Sequence, residues 1–153
     1  MSTNFKKIAL AAVAHPDDIE LMMGGTLILL GRAGWELHYL NIANGSCGTA
    51  DQSRDKIVAQ RLEEARAAAE SVEAHFHPPL VNDFEVLYTL PLLARLAAVV
   101  REVQPSLMLL PSPQDYMEDH MNASRLMVSA GFVRGMTNFT SEPPRTPYDA
   151  PLA

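Results

Sequence analysis

The sequence predicts an α/β domain, a doubly wound, Rossmann-like parallel sheet with helices on both faces. Three observations point there. Strand-like apolar runs alternate with helix-like segments along most of the chain, the first run is apolar without a break, and the clusters of His and Asp fall directly after such runs.

Ile8 to Ala14 is continuously apolar, as expected of a parallel strand covered on both faces. Lys6-Lys7 ahead of it faintly imitates a signal peptide, but the run is at the short limit for one and passes straight into polar residues, so it reads as the first strand. Pro16 suits the first position of the following helix, and Asp17, Asp18 and Glu20 complement its positive dipole end. That helix runs to about Arg32 and ends at Gly34; its Gly24-Gly25 pair lowers helix propensity and is expected to serve close packing on the sheet. Glu36 to Ile42 is the second strand, and Ala43 to about Asp55 a polar loop at the same edge as Asp17. Lys56 to Val72 has helical periodicity in Ile57, Leu62, Ala65, Ala69 and Val72.

A short third strand is expected at His75 to His77, where the two imidazoles share a face, have no third ligand in view, and read as surface or packing residues. Leu90 to Val103 is a helix with Pro91 near its start and Pro105 past its end. Leu107 to Leu110 forms the last strand, Met121 to about Gly135 the last helix, and 136–153, rich in Pro, an irregular tail. The methionines, among them Met22, Met23, Met108 and Met127, read as adaptable core filler. Residues 1–153 make one domain, long enough to bury roughly 70% of its unfolded surface.

His15, Pro16, Asp17 and Asp18 place an imidazole and two carboxylates where the first strand stops. His15 and Asp18 can point inward together, with Asp17 projecting between them. The run Asp115-Tyr116-Met117-Glu118-Asp119-His120 follows the last strand in the same manner. If those two strands are neighbours, His15, Asp18 and His120 converge at the carboxyl edge, where open α/β sheets bind ligands. Three N and O ligands with room for water is the pattern of a catalytic zinc site. Read singly, the first cluster is also an ordinary helix start, His120 a solvated residue, and Arg61 a salt-bridge partner of Glu63 or Glu64.

Ala-His-Pro-Asp-Asp, Gly24-Gly25-Thr26, Arg61-Leu62-Glu63-Glu64-Ala65, Asp115-Tyr116 and Asp119-His120, in this order, resemble the PIG-L/LmbE-like family of zinc-dependent de-N-acetylases from about Lys7 to Leu126. The resemblance implies a metal held by His15, Asp18 and His120, Asp17 as general base, and Arg61 in contact with substrate, with Asp83 nearby. One position departs: where the family often carries a second His supported by the intervening Asp, this chain has Met117, which cannot donate a hydrogen bond, so Asp119 lacks its usual partner and Tyr116 is the nearest replacement donor by sequence. The family also generally continues with further strands and a helix, so the chain resembles the N-terminal two thirds of such a domain.

The activity implied is removal of an N-acetyl group from an N-acetylglucosamine-type sugar or conjugate, with one divalent metal, zinc, as cofactor. A metal-containing sugar-binding or scaffold protein without catalysis is the alternative. A nucleotide-binding module is disfavoured because Asp17 and Asp18 would repel phosphate. A Cys47 hydrolase is disfavoured because a small residue in a loop explains Cys47 more simply. Net charge −6 and pI near 5.3 argue against nucleic acid and anionic membranes. No stretch reaches a membrane span, and one Cys suits a reducing cytoplasm. The expected partner is the N-acetylated sugar or glycoconjugate, and a homo-oligomer is left open.

Overall fold

The computed structural model describes residues 6–153. Among them, four strands and four helices alternate: β1 (Ile8–Val13), α1 (Asp18–Arg32), β2 (Glu36–Asn41), α2 (Arg54–Ser71), β3 (His75–His77), α3 (Leu90–Val103), β4 (Leu107–Leu109) and α4 (Glu118–Val133). The strands form one all-parallel sheet in the order β3-β2-β1-β4. β1 is therefore central. All six of its residues are buried, because successive side chains feed opposite cores. Leu10, Ala12 and Ala14 pack beneath α3 and α4 with Leu96, Val100, Leu126 and Met127, whereas Ala9, Ala11 and Val13 meet Ile19, Met23 and Leu27 of α1 and Ala65 and Ala69 of α2.

This winding fixes the position of the site. The chain moves outward from β1 through β2 to β3, then α3 carries it across to β4 on the other side of β1. Between β1 and β4 the helices leave for opposite faces, so the carboxyl ends of these neighbours bound a crevice. α3 makes that crossover with Thr89 accepting from the Leu92 N–H at its start and Gln104 in a left-handed turn at its end.

Four local expectations need correction. Pro16 stands outside α1. The N-cap is Asp17, with φ 87°, a left-handed conformation that Asp tolerates better than most residues. The Gly24-Gly25 pair does not pack on the sheet: a Cβ at Gly24 would meet only the Ile19 carbonyl at 3.8 Å, and one at Gly25 nothing within 4 Å. The pair lies between the exposed Leu21 and Leu29 on the outer side of α1, and Met22 is exposed there too rather than core filler. The last helix begins at Glu118, three residues earlier than expected, with Met117 as its cap residue. Asp119 and His120 thus sit in its first turn.

No helix or strand follows Val133. The segment is nevertheless anchored. The guanidinium of Arg101, 3% exposed, donates to the carbonyls of Val133, Arg134, Met136 and Arg145, and Ala153 bonds Ser106 and Met108 beside β4.

Candidate metal centre

His15 leaves the end of β1, Asp18 opens α1, and His120 lies in the first turn of α4, so adjacency of β1 and β4 brings all three together. Their ligand atoms lie within 4.8 Å of one another. Asp18 Oδ2 is 3.4 Å from His120 Nε2 and 3.7 Å from His15 Nδ1. Ligands of a tetrahedral ion bound at about 2.0–2.1 Å stand roughly 3.3 Å apart, so this donor set fits a divalent metal with little movement.

Each imidazole also turns its other nitrogen to a carboxylate. His15 Nε2 is 2.9 Å from Asp119 Oδ2, and His120 Nδ1 is 3.2 Å from Asp115 Oδ1, although out of line for a good hydrogen bond. Carboxylates behind ligating imidazoles fix ring orientation and tautomer. Asp119 is thus not idle for want of a His at position 117. Its Oδ2 serves His15 and also accepts the backbone N–H of Phe84 at 2.7 Å. Burial depresses the basicity of His15, but the carboxylates of Asp18 and Asp119 outweigh it and raise the pKa to about 9. The sequence motif contains Asp115 but does not show that it stands behind His120, and nothing in the sequence points to the Phe84 N–H.

Asp17 projects beside this cluster. Its left-handed backbone turns it outward while the Asp18 carboxylate accepts the His15 N–H at 2.9 Å, so adjacent acids divide into one facing in and one facing the cleft. The side chain of Asp17 is half exposed, and Arg61 Nη1 lies 3.4 Å from its Oδ2. Desolvation raises the Asp17 pKa and Arg61 opposes it, leaving the group above the usual carboxylate value. Arg61 also reaches Glu64 at 2.9 Å, so the salt-bridge reading and the cleft-facing reading hold together.

The cleft has a volume of about 220 Å³ and is lined by His15, Asp17, Gly45, Arg61, Asp83 and Met117, among others. A larger depression, about 670 Å³, lies by Trp35, Glu36 and His75 and contains none of these residues. Asp83 is within the cleft but braces its wall: the two carboxylate oxygens accept the N–H groups of Gly45 and Cys47, both at 2.7 Å. Tyr116 is 86% exposed and meets the edge of His120 with ring centroids 6.0 Å apart, outside the cleft lining.

Gly45 has φ 76°, and a Cβ there would come within 2.8 Å of Arg61 Cγ and 3.2 Å of Pro16. Gly45→Ala is expected to cost about 1–2 kcal/mol from the left-handed backbone alone, measurable by urea unfolding, and to push Arg61 away from Asp17. Gly48→Ala, without positive φ, should cost less; equal losses would exclude the backbone explanation.

Residues 10–131 match the PIG-L family, described as GlcNAc-PI de-N-acetylase. The chain belongs to the PIG-L family. This PIG-L member is 32% identical over 142 residues to a diacetylchitobiose deacetylase of Thermococcus kodakarensis, covering 89% of this chain and 53% of that one. It is 31% identical over 136 residues to a 4-oxalmesaconate hydratase of Pseudomonas putida, covering 84% of this chain and 53% of the relative. The solved N,N'-diacetylchitobiose deacetylase of Pyrococcus horikoshii, complexed with an inhibitor, superposes with a TM-score of 0.86 at 27% identity, covering 95% of this chain and 58% of that one. The chain therefore spans about half the length of the curated relatives it matches. Among the described residues no helix is long and apolar enough to cross a membrane.

Proposed function

We propose that this PIG-L member is a metal-dependent amide hydrolase that removes the acetyl group from an N-acetylglucosamine-type sugar or conjugate. The observation that carries the proposal is a carboxylate, Asp17, held by Arg61 beside the convergent donors His15, Asp18 and His120. Bound there, zinc would lower the pKa of a coordinated water toward about 7 and polarise the acetyl carbonyl. Asp17 accepts the proton of the attacking water. As the C–N bond breaks to leave acetate, Asp17 returns that proton to the departing amine. Arg61 orients Asp17 and presents cationic N–H groups to polar substituents of the sugar.

Amine release from diacetylchitobiose by the zinc-reconstituted chain tests this directly. No release, with metal bound, would overturn the deacetylase reading. The likeness to the oxalmesaconate hydratase supports a second one: Asp17 takes a proton from water, the hydroxyl adds to one carbon of a conjugated C=C bond and the proton is returned to the other, with Arg61 holding a substrate carboxylate. Loss of the conjugated chromophore of oxalmesaconate, without amine release from the sugar, would favour it.

Met117 lines the cleft and offers no hydrogen-bond donor for a developing oxyanion. Met117→His is expected to raise deacetylase turnover tenfold or more, within the roughly 2.7–4 kcal/mol that one such donor can supply. A variant no faster than the parent, with unchanged metal content, would show that this missing donor is not limiting.

A further inference from the structure

A second cluster of imidazoles stands on the open flank of the sheet, away from His15 and His120. Glu36 and His38 lie two apart on β2 and so share a face, and the parallel register sets His75 of β3 directly opposite His38. His75 is exposed and His77 partly buried, in keeping with surface or packing roles, but the β2/β3 register, which is not encoded locally, sets Glu36 and His38 beside His75 as further potential ligands. Glu36 Oε1 is 3.0 Å from His38 Nε2 and 3.9 Å from His75 Nε2, and the potential ligand atoms of the three residues lie within 4.8 Å of one another. Those separations bracket the roughly 3.3 Å expected between ligands of a tetrahedral ion.

We propose that Glu36, His38 and His75 form a second site for a divalent transition metal, which fastens the short edge strand β3 to β2. Two imidazoles and one carboxylate suit zinc, and also nickel or copper, better than calcium or magnesium, which prefer all-oxygen shells. His38 carries a ready support: its Nδ1 is 2.8 Å from His77 Nε2, so a metal on Nε2 leaves the Nδ1 proton to be donated to His77. Access is open. Glu36 and His75 are exposed and rim the depression of about 670 Å³, while His38 is 8% exposed and fixed by its neighbours.

The benefit to the fold lies in β3, which has only three residues and pairs on one side alone. An ion bridging residues 36, 38 and 75 adds a cross-strand link that the unfolded chain cannot reproduce, so binding raises stability by mass action. Binding at this second site is independent of turnover at the first.

The test is zinc stoichiometry of the chelator-stripped, full chain by equilibrium dialysis and elemental analysis, for the parent, His75→Ala, Glu36→Gln and His120→Ala. Because Glu36 and His75 are exposed, replacing either should leave the fold intact, as circular dichroism would verify. The expected result is that His75→Ala holds one zinc fewer than the parent, that Glu36→Gln binds this ion at least tenfold more weakly, and that His120→Ala retains it. Zinc should also raise the melting temperature of His120→Ala but not of His120→Ala/His75→Ala. Equal stoichiometry in parent and His75→Ala, with zinc leaving both melting temperatures unchanged, would overturn the proposal and leave the three imidazoles as a hydrogen-bonded cross-strand ladder.

Discussion

Asp17→Asn is expected to reduce hydrolysis by about 10²–10⁴-fold, the range for loss of a general acid–base, while metal content and melting temperature remain near the parent values. The substitution isolates the proton-accepting step for two reasons. Asn, like Asp, tolerates the left-handed conformation required by φ 87° at this cap, so the backbone loses little. The inward-facing acid is Asp18, whose Oδ2 accepts the His15 N–H and approaches both imidazoles, so the amide at 17 leaves the donor set untouched. What disappears is the carboxylate 3.4 Å from Arg61, whose raised pKa brings it closer to the neutral range in which a base works best. Single-turnover rates with zinc-loaded protein would measure the effect. An Asn variant within fivefold of the parent would place the base elsewhere, whereas a variant that lost its metal would show that Asp17 is part of the donor set.

The legible parts of this molecule are those fixed by neighbours in sequence. β1 declares itself because seven successive apolar residues can only be buried on both sides, and that places His15 and Asp18 at a sheet edge without further information. α3 declares itself through Pro91 near its start and Pro105 past its end, both local signals. Beyond the convergence of His15, Asp18 and His120, contacts set by register or by the crossover are not legible. Asp119 looks unpartnered in sequence, since its partners His15 and Phe84 are 104 and 35 residues away. Glycine misled for a related reason. Gly24-Gly25 suggested close packing but faces outward, whereas Gly45, unremarkable in its loop, is the position where the chain must pass close to Arg61. Propensity records that a glycine lacks a side chain, and only the tertiary arrangement tells whether anything fills the space.

His120→Ala is the complementary expected result, with the first-site metal lost and the fold retained. The imidazole is 7% exposed and supplies Nε2 to the cluster, so its removal leaves His15 and Asp18 as a two-residue set on one turn. A bidentate remnant holds a divalent ion far less well than three converging donors, and the first-site zinc should fall below about a tenth of the parent occupancy at micromolar protein. Asp119→Asn grades the same argument. It keeps all three donors but weakens the carboxylate behind His15 Nε2, a change that in comparable sites costs about 10–100-fold in metal affinity. The two variants should thus order as parent, Asp119→Asn, His120→Ala in zinc affinity, read by competition against a chromophoric chelator. If Asp119→Asn bound as tightly as the parent while His120→Ala did not, Asp119 would belong to the fold, through the Phe84 N–H, rather than to the metal centre. If His120→Ala kept its first zinc, the convergence of β1 and β4 would not be what builds the site.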